Sequence, residues 1–143
     1  MFIGEYRFSM DAKGRVSIPT KFREELGEVF YITKGFDTCL FVYSEKEWKE
    51  FGKKLQESRL SSTNARMLQR FFLASSTECT LDKQGRVLIS APQREYAKID
   101  KEVVIIGVSN RLEIWAEDTW RSYMENDEID ISSLADSMED LSF

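Results

Sequence analysis

The sequence predicts a mixed α+β fold, mainly β, made of two similar halves. One motif, DAKGRV at residues 11–16, returns as DKQGRV at residues 82–87. A single copy would be weak evidence, because Asp and Gly are common in turns. Two copies, each with alternating apolar runs on both sides and a short helix after it, indicate an internal repeat.

Each motif is flanked by strand-like runs. Apolar and polar residues alternate from Tyr6 to Met10 and again from Arg15 to Ile18, which is the period of a half-buried strand. Polar turn residues with a glycine between two such runs predict a β-hairpin, in which Gly14 and Gly85 take the positive-φ position. The second half repeats the pattern at Thr77 to Leu81 and Arg86 to Ile89.

A short helix is predicted after each motif. Pro19 and Pro92 stand where these helices begin, a position at which proline is well tolerated. Phe22 and Leu26 share one face of the first helix, and Gly27 is placed to end it. The other predicted elements are strands at Val29 to Thr33, Thr38 to Tyr43, Val103 to Val108 and Leu112 to Trp115, and a helix at Glu117 to Met124.

A helical pair is predicted between the halves. Ser44 to Glu47 fits a capping box, and a helix to about Ser58 follows it. The apolar positions of this helix are Trp48, Phe51 and Leu55, and those of a second helix, capped within Ser61 to Thr63, are Met67, Leu68, Phe71 and Phe72. These faces must pack on the body of the protein or on a neighbouring subunit. The lysines of the first helix, Lys46, Lys49, Lys53 and Lys54, are interpreted as a solvated face.

The duplication extends past the motif. Three further pairs match at a spacing of 72: Gly35 and Gly107, Leu40 and Leu112, and Trp48 and Trp120. We therefore divide the chain into a first repeat at residues 1–60, a connecting helix at 61–74, a second repeat at 75–124 and an acidic tail at 125–143. The tail is expected to be disordered or to form a short helix around Leu134 to Leu141.

Charge is distributed unevenly along the chain. The net charge is −5, but seven acidic residues and no basic ones follow Arg121, so residues 1–121 hold 20 bases against 18 acids. A local basic patch, rather than the net charge, decides whether a protein binds nucleic acid. The slight excess predicts weak DNA affinity per subunit and a need for several subunits acting together.

Composition argues against several classes of site. The chain has no histidine, which removes Ser-His-Asp and Cys-His catalysis and the commonest metal ligand. Its two cysteines, Cys39 and Cys79, are interpreted as half-buried strand residues in a reducing compartment, with a disulfide or redox role as the alternative. No apolar run could span a membrane, and the first residues do not resemble a signal peptide, so we expect a cytoplasmic protein without a cofactor or enzymatic activity.

The doubled Asp-x-x-x-Arg motif resembles the MraZ family, two-repeat relatives of the AbrB-type transcription factors. The resemblance covers both repeats and implies a pseudo-two-fold barrel of the double-split β-α-β, swapped-hairpin kind with flanking helices. It also implies a ring-shaped homo-oligomer in which unlike faces of neighbouring subunits meet.

Within the motifs, Asp11, Gly14, Asp82 and Gly85 are interpreted as structural. Arg15 and Arg86 have two compatible interpretations, which are ion pairing with the motif aspartates and contact with DNA. The predicted DNA-binding residues are Arg7, Lys13, Arg15, Lys83 and Arg86, and the second-rank phosphate contacts are Lys21, Arg23 and Arg94. Arg23 and Arg94 each precede a glutamate and could form local ion pairs instead.

The resemblance implies a nucleoid-associated transcriptional regulator that binds repeated boxes of double-stranded DNA at the promoter of the division and cell-wall gene cluster. Two alternatives come from other classes. One is a ring-forming protein-interaction scaffold or antitoxin-like protein, favoured by the acidic tail. The other is a carboxylate-dependent hydrolase, which no phosphate loop, nucleophile elbow or metal cluster supports.

Overall fold

The computed structural model describes residues 1–59 and 61–140, and this part of the chain forms eight strands and six helices. The strands are β1 (Phe2–Ser9), β2 (Arg15–Ser17), β3 (Phe30–Lys34), β4 (Leu40–Ser44), β5 (Thr77–Cys79), β6 (Arg86–Leu88), β7 (Glu102–Ser109) and β8 (Leu112–Ala116). The helices are α1 (Thr20–Leu26), α2 (Glu45–Gln56), α3 (Thr63–Ala74), α4 (Ala91–Tyr96), α5 (Glu117–Met124) and α6 (Ile131–Ser137).

Six of the strands form one antiparallel sheet in the order β1-β7-β8-β4-β3-β5, and β2 pairs with β6 in a second, two-stranded sheet. Exchanging the repeats turns β1 to β4 into β5 to β8, and the six-strand order then reads the same in reverse. The topology therefore has the pseudo-two-fold character of a duplicated chain. Neither sheet closes on itself within the described residues, so the barrel stays a prediction.

The pairing of β2 with β6 corrects the hairpin prediction. We expected each motif to join two strands that pair with each other. Instead β1 pairs along its whole length with β7 of the other repeat, and β2 pairs with β6 around Val16 opposite Val87. A four-stranded half has exposed edges that another chain segment can pair with, and each half here supplies strands to the other. We call the β2–β6 pair the ribbon.

Apolar side chains cover both faces of the six-stranded sheet. On one face, the ribbon and helices α1 and α4 enclose a core that includes Val16, Ile18, Phe22, Val87 and Ile89. On the other face, helices α2, α3 and α5 cover a second cluster, in which the buried members are Cys39, Phe41, Tyr43, Phe72, Val104, Ile106 and Trp115. The aromatic faces predicted for the connecting helices thus pack on the body of the protein.

The helix caps follow the prediction. The Ser44 side chain accepts a hydrogen bond from the Glu47 amide, and Ser62 accepts one from Ala65, so each satisfies an amide that has no partner within its helix. Helix α1 ends before Gly27, whose φ is 83°. The four lysines of α2 are exposed, as expected.

Strand β5 begins at Thr77 as predicted but ends at Cys79, two residues before the predicted end at Leu81. The segment equivalent to the first half of β1 is the end of α3, which does not pair as a strand. Thr33 of β3 instead donates its hydroxyl to the Phe72 carbonyl at 2.7 Å, and Ser75 Oγ accepts from the Lys34 amide at 3.3 Å. Hydroxyl groups there take over the role of ladder hydrogen bonds.

The cysteines are more buried than predicted. Cys39 lies just before β4, outside any strand, and Cys79 is the last residue of β5. Both are free thiols inside the core, and burial raises the pKa of each. A thiol that resists ionisation is a poor nucleophile, which suits a packing role.

The acidic tail contains helix α6, which starts at the side-chain cap of Asp130. The predicted helix around Leu134 to Leu141 overlaps it, and residues 141–143 lie outside the described part of the chain. Residue 60, at the predicted end of the first repeat, also lies outside it. Among the described residues, no helix is long and apolar enough to cross a membrane.

Candidate nucleic-acid interface

The first motif forms a tight turn around the carboxylate of Asp11. Oδ1 accepts hydrogen bonds from the amides of Lys13 at 3.0 Å and Arg15 at 2.9 Å, and Oδ2 accepts from Arg15 Nε at 2.7 Å. The Asp11 amide in turn donates to the Arg15 carbonyl at 3.0 Å. One carboxylate therefore fixes both the turn and the direction of its arginine.

The second motif repeats this geometry. Asp82 Oδ1 accepts from the amides of Gln84 and Arg86, both at 2.9 Å, and Oδ2 accepts from Arg86 Nε at 2.9 Å. The ion-pair interpretation of both arginines is confirmed. The structural interpretation of both aspartates is supported by the same contacts.

The two carboxylates are held in their charged form. Hydrogen bonds from the arginine amides are the largest cause that lowers the pKa of Asp11 and of Asp82, and the guanidinium groups add to it. Each turn therefore carries a fixed carboxylate beside a fixed cation.

The motif glycines allow a close approach by an arginine from the opposite repeat. Gly14 and Gly85 have φ of 85° and 77°, which confirms the predicted positive values. A Cβ added to Gly14 would lie 2.1 Å from Arg94 Nη1, and one added to Gly85 would lie 2.1 Å from Arg23 Cζ. Only glycine combines this backbone conformation with this contact.

Arg23 and Arg94 thus have a role that the sequence did not indicate. Arg23 Nε donates to the Ile18 carbonyl at 2.9 Å, and Arg94 Nη1 donates to the Ile89 carbonyl at 2.6 Å. The expected local ion pairs with the following glutamates are not among those of the described residues. Each of these arginines covers the turn of one repeat while its backbone belongs to the other.

The ribbon presents an outward face that we name the ribbon face and define as Arg15, Ser17, Arg86 and Leu88. Val16 and Val87 point into the core, so their neighbours point outward, and the register sets Arg15 opposite Leu88 and Ser17 opposite Arg86. The side chains of Arg15 and Arg86 are 31% and 28% exposed, so neither is sealed inside the protein.

A cross-repeat contact brings the two turns together. Arg86 Nη1 lies 3.6 Å from Asp11 Oδ2, in addition to the pairing of Arg86 within its own turn. Lys13 and Lys83 are exposed at the two turns that flank the ribbon. Four of the five predicted DNA-binding residues therefore lie on or beside one continuous surface.

Arg7 is the fifth, and the structure does not bring it to this surface. It alternates along β1 with Tyr6 and Phe8, which pack on the ribbon side of the sheet. Its guanidinium instead pairs with Glu5 at 3.2 Å, and Glu5 also accepts from the indole of Trp120 in α5. Lys21 is exposed near the start of α1, with its ammonium 5.9 Å from the ring centre of Phe22.

Sequence reasoning missed Ser17 and Leu88 as members of the surface. Both stand two residues after a motif arginine, and strand alternation places them on the same face as that arginine. The sequence therefore shows that Ser17 and Leu88 point outward with their arginines. It does not show that β2 pairs with β6, which is what joins the outward faces of these two strands into one surface.

Comparison with known proteins agrees with the duplication. A family model described as "MraZ protein, putative antitoxin-like" matches the chain twice, at residues 1–71 and 72–142. Proteins named "Transcriptional regulator MraZ" are similar over almost the full length. One from Thermoanaerobacter sp. strain X514 is 52% identical over 141 residues, and one from Caldicellulosiruptor bescii is 53% identical over 141 residues, each covering 99% of both chains.

Proposed function

The chain belongs to the MraZ family, and we propose that it is a transcriptional regulator that binds double-stranded DNA through the ribbon face. The finer proposal is that it binds repeated boxes at the promoter of the division and cell-wall gene cluster as a ring-shaped homo-oligomer. Such a regulator acts on chromosomal DNA, which places it in the cytoplasm with the nucleoid.

One observation carries the proposal: two partly exposed arginines lie on the outer face of a two-stranded ribbon, with a lysine at the turn on each side. The major groove of B-DNA admits a two-stranded ribbon, and an arginine can donate two hydrogen bonds to guanine there. Lysines at the turns are suited to phosphate contacts.

The ion pairs with Asp11 and Asp82 support this function. Each aspartate accepts from the Nε atom of its arginine, which orients the guanidinium group. The Nη atoms of Arg86 have further contacts, since Nη1 lies 3.6 Å from Asp11 Oδ2 and Nη2 donates to Gln84 Oε1 at 3.4 Å. A pre-oriented guanidinium loses less side-chain entropy when it binds. The two sequence interpretations of the arginines are therefore compatible.

Assembly would compensate for a weak contact per subunit. Several apolar side chains of α3 are exposed, with Met67 at 62%, Leu68 at 43% and Leu73 at 45%. They are our candidates for the contact between neighbouring subunits. Several ribbon faces on one ring would bind a row of boxes with far greater avidity than one subunit could reach.

The test compares Arg15→Ala with Arg121→Ala, which removes an exposed, ion-paired arginine from α5. Binding to a labelled promoter duplex is measured by fluorescence anisotropy, and melting temperature is measured on the same samples. Loss of one bidentate guanine contact weakens binding by about 5- to 150-fold. We expect that loss for Arg15→Ala, unchanged binding for Arg121→Ala and a similar melting temperature for both. A lowered melting temperature of Arg15→Ala, with wild-type binding at temperatures where the variant is still folded, would leave only the ion-pair role.

Arg7→Ala belongs in the same series, because the sequence named Arg7 as a DNA contact. Its position away from the ribbon face predicts binding like that of the wild type. A loss as large as that of Arg15→Ala would mean that the DNA-binding surface extends along β1.

Salt dependence provides a second test. Neutralised phosphates release counterions, and the logarithm of the binding constant then falls linearly with that of the salt concentration. We expect a steep slope for the wild type and a shallower one for Lys13→Ala. Binding that ignores salt would contradict the proposal.

A second candidate is an antitoxin-like, protein-binding role. The description of the family model favours it, as does the tail after Arg121, which contains acidic residues and no lysine or arginine. A chain ending at Met124 separates the two. Promoter binding that survives the truncation supports the ribbon face, whereas a full-length chain that binds no promoter duplex and loses a protein partner on truncation supports the second role.

A further inference from the structure

Leu88 is an exposed apolar residue in the middle of the proposed DNA-binding surface. It is 58% exposed although it lies in an ordered strand, and its neighbours Val87 and Ile89 are buried. The ladder sets it directly opposite Arg15. Side chains at such positions have Cβ atoms about 5 Å apart, so Leu88 and Arg15 reach the same part of any bound molecule.

The repeat shows that the fold itself does not need leucine here. The equivalent position in the first half is Ser17, 71 residues earlier, which lies opposite Arg86 with the same orientation. Two strands with the same outward geometry thus carry a hydroxyl at one end of the ribbon face and a branched apolar side chain at the other.

We propose that Leu88 is a specificity-determining residue that packs against the C5-methyl group of a thymine in the major groove. This inference rests on the proposed function. The thymine methyl is the one apolar group among the base edges of that groove, and apolar side chains recognise it by contact. The positive charges around Leu88 favour DNA as the bound molecule. The ribbon arginines and the turn lysines would hold the duplex against the ribbon.

The asymmetry between Leu88 and Ser17 has a consequence for the DNA sequence. Arg15 and Leu88 form one half of the surface, and Arg86 and Ser17 form the other. The pseudo-two-fold ribbon therefore reads an asymmetric box, with a thymine next to the base that Arg15 contacts and no methyl requirement beside Arg86.

The experiment replaces each thymine of the promoter duplex in turn with deoxyuridine, which lacks only the methyl group. Burial of one methyl-sized group corresponds to about fourfold in a binding constant. We expect a loss of that size at one thymine per box for the full-length wild type. Leu88→Ser should bind the unmodified duplex about fourfold more weakly and show no further loss with deoxyuridine at that position.

Leu134→Ser is the matched control, because Leu134 is 50% exposed on α6, in the tail whose removal should leave DNA binding intact. It should keep the thymine preference. Equal binding of all deoxyuridine duplexes by the wild type, or a deoxyuridine loss that persists in Leu88→Ser, would overturn the assignment while leaving DNA binding intact. A change in native mass of Leu88→Ser without a change in thymine preference would make Leu88 a subunit contact and also overturn it. Failure of the wild type to bind any duplex would refute the proposed function itself.

Discussion

The contact between Arg23 and Gly85 joins the two repeats, and its strength can be measured. Replacing Gly85 with alanine forces a residue with a Cβ into φ near 77° and pushes the Arg23 guanidinium off the turn. The left-handed backbone costs about 1–2 kcal/mol. Arg23 also loses its hydrogen bond to the Ile18 carbonyl, a bond from a charged donor that contributes about 1.5–3 kcal/mol.

These two costs predict a specific pattern in a double-mutant cycle. Gly85→Ala should lower the free energy of unfolding by about 2.5–5 kcal/mol, and Arg23→Ala by about 1.5–3 kcal/mol. The hydrogen bond can be lost only once, so the double variant should be no less stable than Gly85→Ala alone. The coupling energy is then about 1.5–3 kcal/mol, which urea unfolding at 25 °C can resolve.

Gly52→Ala is the control for the glycine substitution. Gly52 lies within helix α2, and a Cβ there would meet nothing within 4 Å. Alanine at this position should raise the free energy of unfolding by about 0.5–1 kcal/mol. The same cycle with Gly14 and Arg94 should reproduce the coupling, because the second contact has the same geometry. Additive effects of Gly85→Ala and Arg23→Ala would refute the idea that the arginine depends on the glycine.

Three further predictions concern stability. Hydrogen bonds lower the pKa of Asp82 below its ordinary value of 3.8, so the stability that it adds is complete only well above that value and is lost as the pH falls through the folded pKa. Urea unfolding should therefore show the difference in stability between the wild type and Asp82→Asn shrinking as the pH is lowered from about 6 to about 3. Glu113 is 7% exposed and accepts hydrogen bonds from Arg111 and Trp115. Glu113→Gln should therefore lower the free energy of unfolding by about 1.5–3 kcal/mol in the same assay. The control is Glu117→Gln in an exposed ion pair, which should lower it by less than about 1 kcal/mol. Phe72→Ala should cost about 3–5 kcal/mol because the ring packs in the second cluster, and a loss no larger than that of the exposed Leu73→Ala would contradict that packing.

The interface proposed here is built by pairing across the duplication. Each motif folds locally, but the ribbon face exists only because β2 and β6 lie side by side. The two halves differ in their outward residues, Ser17 and Leu88, whereas the buried residues beneath them, Val16 and Val87, are the same.

The sequence by itself determined the features whose partners are close along the chain. Asp11 meets its ligands within four residues, so the turn, the positive φ of Gly14 and the ion pair with Arg15 could all be predicted from the motif. The cap at Ser44 has the same local character. Alternation likewise predicted which residues of β1 and β2 face the core.

Tertiary structure alone decided which strands pair and which side chains meet across the repeats. Period-2 alternation assigns the faces of a strand but carries no information about its neighbour, so a within-repeat hairpin and a cross-repeat ribbon have the same pattern. Arg23 shows the same limit, since a charged residue on a short helix is compatible with phosphate binding, a local ion pair or the cover of a glycine 62 residues away. In the folded protein Arg23 covers Gly85, because the two halves share one core and each half leaves strand edges and turns that only the other half can contact.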